Sequence, residues 1–102
     1  MIVRDRVMPY FVYILVSRSG NALYTGATND LRKRLHQHRV GNTGAHTQKY
    51  RIRKLVYFEA HDTLEGALVR EKRIKRWQRK WKIELIESTN PTWRDLAIDI
   101  PY

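Results

Sequence analysis

The chain has 102 residues, enough for one domain whose single core buries roughly two-thirds of the surface its unfolded chain exposes. Twenty Lys and Arg against ten Asp and Glu give a net charge of +10, which favours a polyanionic partner: nucleic acid first, an anionic membrane surface second. With no cysteine there is no disulfide and no thiolate metal site, and the four histidines offer no zinc spacing, since His36 and His38 would point to different sides of a helix.

The opening MIVRDRVMPYF has neither an apolar stretch of signal-peptide length nor a small-residue cleavage site. Residues 1–8 therefore read as an N-terminal extension of a cytoplasmic protein, and residues 9–102 as its single domain. The longest apolar run, Tyr10 to Val16, is too short to span a bilayer and is apolar on both alternating faces, as in a central strand covered on both sides. After the turn residues Ser17 to Asn21 comes a second strand, Ala22 to Gly26. A turn centred between Arg18 and Ser19 would set Tyr13 opposite Tyr24, on one face.

Thr28, Asn29 and Asp30 cap a helix over about Asp30 to Val40, which Gly41 ends. Its inward stripe is Leu31, Leu35 and His38, with Arg34 on the edge, one turn from His38. The polar loop Asn42 to Tyr50 leads to a third strand, about Lys54 to Ala60. Asp62 with Glu65 makes a capping-box start for the helix TLEGALVREKRIKRWQ, whose buried arc is Leu64, Ala67, Leu68 and Ile74, with Glu71 near its centre. A further helix from Arg79 to Ile86 packs Trp81, Leu85 and Ile86 inward, and Asn90 before Pro91 starts a short last helix. The sum is a small α+β domain, a three-stranded sheet with helices on its faces.

Glu71 is the most informative residue, because an unpaired buried carboxylate costs several kcal/mol. A salt bridge, to Arg34 for instance, would explain it; so would a site, since Tyr13, Tyr24, Arg34 and His38 converge on one face. A lone oxygen ligand with open positions suits Mg²⁺ or Mn²⁺, which keep waters and bind substrate phosphate. From Arg70 to Lys82, eight of thirteen residues are Lys or Arg. Arg70, Lys72, Arg73, Lys75 and Arg76 are candidate phosphate contacts, and Lys49, Arg51, Arg53 and Lys54 the other wall of the same groove. Trp77 and Trp81, interleaved at i, i+4, suit helix packing better than base stacking.

FVY, ten residues, YTG, then Arg34 and a helical Glu71 form an ordered set that resembles the GIY-YIG nuclease superfamily. YTGATNDLRKRLHQH, KLVYFE, ALVREKRIKRW and NPTWRDL resemble its small single-domain bacterial proteins, which are related to the nuclease domain at the N-terminus of the bacterial repair excinuclease. Phe11 replaces the name-giving glycine, Ala27 stands where some relatives carry a lysine, and Asn90 is too far along to match the asparagine that follows the metal helix.

The resemblance implies a divalent-metal-dependent DNA endonuclease, with repair or recombination as its setting. Glu71 would hold one Mg²⁺ or Mn²⁺ and Arg34 would contact the scissile phosphate. A tyrosine would take the proton of the attacking water, Tyr24 being preferred with Tyr13 orienting it, and His38 would hydrogen-bond the nucleophile or leaving oxygen. DNA is the expected partner, with RNA left open. The alternative is a nucleic-acid-binding module of the same fold with little or no catalysis alone, drawing substrate affinity from a protein partner.

Overall fold

The computed structural model describes residues 9–40 and 52–100. In chain order these form β1 (Tyr10–Ser17), β2 (Leu23–Thr28), α1 (Leu31–Val40), β3 (Ile52–His61), α2 (Leu64–Arg76), α3 (Arg79–Thr89) and a 3-10 turn (Leu96–Asp99). The strands make an antiparallel sheet in the order β2-β1-β3.

The centre of that sheet explains its sequence. Every residue from Phe11 to Ser17 is buried, because both faces of β1 are covered. Phe11, Tyr13 and Leu15 pack with Leu31 and Leu35 of α1, Leu55, Leu96 and Ile100. Val12, Ile14 and Val16 pack with Ala67 and Ile74 of α2, Ile86 of α3, Val56 and Tyr57. The result is three layers: α1 with the C-terminal turn, the sheet, then α2 with α3. The α+β architecture expected from the sequence is the one observed.

Five local expectations are corrected. In the hairpin Tyr24 pairs with Leu15, and Tyr13 with Gly26. Through its backbone Ser17 accepts from Gly20 N and donates to Ala22 O, and Gly20 takes the left-handed φ of +84°, so the turn centres one residue later than expected. Since moving the centre by one residue moves the pairing by two, both tyrosines stay on one face.

Thr63, not Asp62, caps α2: it is extended, and its hydroxyl accepts from Gly66 N at 3.0 Å. Leu64 and Leu68 are 50% and 41% exposed, so the buried arc of α2 is Ala67 and Ile74 with Glu71 beside them. What turns the helix that way is Arg70, which grips Glu59 on β3.

On α3, Ile86 is buried and Leu85 packs on the core, but Trp81 is 45% exposed. Asn90 starts no helix; it closes α3, its N–H donating to Ile86 O, and the 3-10 turn begins later, capped by Asp95. The buried Asn90 side chain donates to Val56 O and Arg94 O and accepts from Arg94 N, tying the segment after α3 to β3.

Candidate active site

The site is built on the β1–β2 pair. Tyr13 and Tyr24, diagonal across the hairpin, bring their ring centroids to 6.3 Å. α1 crosses this face and inserts His38 against both, with centroids 4.8 Å from Tyr24 and 6.2 Å from Tyr13. The phenol of Tyr13 lies over Gly26. A β-carbon at that position would stand 2.5 Å from the phenol oxygen and 2.6 Å from Cζ, so the glycine of YTG is required by this close approach.

Arg34, one turn before His38 on α1, brings its positive charge to the Tyr13 phenol. The Tyr13 oxygen and His38 Nε2 lie 3.3 Å apart and share a hydrogen bond whose donor is set by the imidazole tautomer. Burial, and next the Arg34 charge, hold the His38 imidazole below its ordinary pKa, which favours its neutral form. Burial first, then Tyr24, push the Tyr13 phenol far above the ordinary range, with Glu71 adding in the same direction and Arg34 opposing. Tyr13 therefore stays protonated at neutral pH.

Glu71 differs from the sequence expectation in how it arrives. α2 packs on the opposite face of the sheet from α1, contacting β1 and the edge strand β2. Its carboxylate is nonetheless near enough to act on the Tyr13 phenol. The side chain is 16% exposed, and its ion-pair partner is Lys75, one turn on, at 2.8 Å. Among the described residues no three His, Cys, Asp or Glu side chains cluster as a metal cage. A single carboxylate, with no cluster of acidic, His or Cys ligands around it among the described residues, suits an ion that keeps most of its waters, as Mg²⁺ or Mn²⁺ does.

The expected nucleic-acid contacts divide. Lys72, Arg73, Lys75 and Arg76 are exposed along α2. Arg70 is engaged: its Nε and Nη2 reach Glu59 at 2.9 and 3.2 Å, and its guanidinium lies 5.3 Å over the Trp77 ring. Lys54 donates to Trp93 O at 2.7 Å. Lys49 and Arg51 lie outside the described residues, as does the side chain of Arg53.

Two polar groups that shape the fold around the candidate site escape sequence reasoning. Glu59 accepts from Tyr57, His61 and Arg70, which holds its carboxyl below the ordinary range against the effect of burial. The polar residues at 57, 59 and 61 alternate along β3 and are the signal that could have found it. Arg79 donates to the carbonyls of Gly20 and Asn21, pinning α3 to the hairpin turn that leads into Tyr24.

Comparison with known proteins identifies the family and the fold. The family model described as the GIY-YIG catalytic domain matches residues 9–84. A UPF0213 protein of Syntrophus aciditrophicus is 45% identical over 82 residues, 79% of this chain and 92% of the relative. Another, of Haloquadratum walsbyi, is 40% identical over 78 residues, 76% and 86% of the two chains. The solution NMR structure of a UPF0213 protein from Bacillus halodurans superposes with a TM-score of 0.55 at 29% identity, covering 86% of this chain and 93% of that one. The matched span contains Tyr13, Tyr24, Arg34, His38 and Glu71, and the chain belongs to the GIY-YIG nuclease family.

Proposed function

We propose that this chain is a divalent-metal-dependent endonuclease hydrolysing phosphodiester bonds of DNA, with repair or recombination intermediates as substrates. One observation carries the reading: the Tyr13 phenol is hydrogen-bonded to His38 beside the Tyr24 ring, and the charges of Arg34 and Glu71 are both felt at that phenol. Glu71 is the residue that would hold Mg²⁺ or Mn²⁺. Bound there, the ion supplies Lewis acidity that lowers the pKa of water and offsets phosphate charge.

Arg34 contributes a permanent, planar positive charge for the phosphate oxygens. The half-buried Tyr24 is the better candidate to take, as its phenolate, the proton of the attacking water, because burial holds Tyr13 in its neutral form. The water oxygen bonds to phosphorus while the bond from phosphorus to the departing sugar oxygen breaks. Tyr13 and neutral His38 are positioning residues in this scheme, keeping Arg34 and the Tyr24 ring in register.

The Lys75–Glu71 pair favours a second reading, because the carboxylate already has a cation and a metal must displace it. In that version the domain binds nucleic acid without cutting. The test is cleavage of nicked, branched and single-stranded DNA with Mn²⁺, beside calorimetric Mn²⁺ titration. The endonuclease reading expects product from the wild-type chain and neither product nor Mn²⁺ binding from Glu71→Gln. Equal cutting by Glu71→Gln overturns it, and salt-sensitive binding without product for any divalent ion supports the second.

A further inference from the structure

The endonuclease reading leaves Trp77 and Trp81 without a task. Trp77 caps the C-terminal end of α2, half-buried on the core, with Arg70 across its ring. Trp81 stands edge-on to it in the first turn of α3, ring centroids 6.4 Å apart and planes at 83°. The pairing expected from their spacing is present, yet it leaves Trp81 45% exposed. The two rings, with Glu84, Leu85 and Ser88, line an open groove of about 480 Å³. An indole kept in contact with water at the mouth of a partly apolar groove marks a surface that binds something.

The surrounding charge selects the occupant. Arg73 lies one helical turn before Trp77, Arg76 directly precedes it and Lys80 directly precedes Trp81, and all three are exposed. Among the described residues that line the groove, the only ionised side chain is the carboxylate of Glu84. These exposed cations attract a polyanion to this end of the molecule, while the groove, lined by two indoles, Leu85, Ser88 and the exposed Glu84, accepts a flat, uncharged ring. A ligand that presents such a ring on an anionic chain is a nucleotide of a single strand, because in a duplex the base faces are stacked on each other.

We infer that the Trp77–Trp81 groove is a stacking site for an unpaired base of single-stranded nucleic acid, whose phosphates run along Arg73, Arg76 and Lys80. Trp77 lies six positions after Glu71, about 9 Å of helical rise, so a strand seated there lies within a few nucleotides of the proposed metal carboxylate. The inference needs nucleic-acid binding but not cleavage.

Anisotropy titrations in EDTA with a fluorescein-labelled 12-nucleotide single strand and a 12-base-pair duplex test it without involving catalysis. Trp81→Ala, at an exposed position, should retain the wild-type melting temperature and lose at least about fivefold in single-strand affinity, with duplex affinity unchanged and Trp81→Phe recovering most of the loss. Equal single-strand affinity for wild type and Trp81→Ala overturns the inference. So does an equal loss on both probes, or Trp81-dependent self-association that the single strand does not reverse, which would make the groove a protein-docking face.

Discussion

Gly26→Ala probes the contact on which the site is assembled. The added β-carbon would stand 2.5 Å from the Tyr13 oxygen, 2.6 Å from Cζ and 3.1 Å from Cε2, where unstrained carbon contacts lie at about 3.5–4.0 Å. The ring must retreat by about 1 Å, and it is 1% exposed, held between the Tyr24 and His38 rings. Overpacking of this kind costs about 1–3 kcal/mol. The 3.3 Å bond to His38 is already near the limit, and its loss adds about 1 kcal/mol. Against that, Gly→Ala restricts the unfolded chain and returns about 0.4–1 kcal/mol. The net loss is about 2 kcal/mol, a fall in Tm of roughly 8–16 °C for a domain of this size. Urea and thermal unfolding followed by circular dichroism would measure it, beside the same substitution in a Tyr13→Leu background. Leucine ends at Cδ and removes all three clashing atoms, so there Gly26→Ala should be neutral or slightly stabilising. An equal loss in both backgrounds would refute the idea that the phenol dictates this glycine.

Three further outcomes are expected. The folded pKa of His38 is depressed, so its unfolded form binds the proton first: the associated stability is present above about pH 6.5 and is lost as pH falls below it, and Tm should drop between pH 7.5 and 5.5 less steeply in His38→Gln than in wild type. Identical slopes would contradict that sign. Asn90→Ala removes three side-chain hydrogen bonds at a buried position, a loss of about 2–4 kcal/mol, and should speed tryptic cleavage after Arg94; unchanged proteolysis would mean that the segment is held by other contacts. Among the described residues the buried hydroxyl of Thr25 has no hydrogen-bond partner, so isosteric Thr25→Val should stabilise the domain by about 1 kcal/mol, and destabilisation in the unfolding assay would show that the hydroxyl is satisfied.

Much of the domain is determined by features local in sequence. The unbroken apolar run Tyr10–Val16 dictated a strand covered on both faces, and the i, i+4, i+7 spacing of Leu31, Leu35 and His38 dictated the buried side of α1, carrying Arg34 with it. The ordered tyrosines, arginine and glutamate carried the family. Other features depended on turn conformation and on contacts that only the folded chain makes. The pairing of Tyr24 with Leu15 waited on the left-handed Gly20, and the close approach of Tyr13 to Gly26 came from that register. The rotation of α2 was set by Arg70 reaching Glu59, which exposed Leu64 and Leu68 while Glu71 stayed largely covered. Asn90, a turn former by composition, was drawn inside by the carbonyls of Val56 and Arg94. Periodicity fixes which side of an element is apolar, because it depends only on the chain's own geometry; the finer rotation, the register and the fate of each polar group are decided by partners that only folding brings within hydrogen-bond reach.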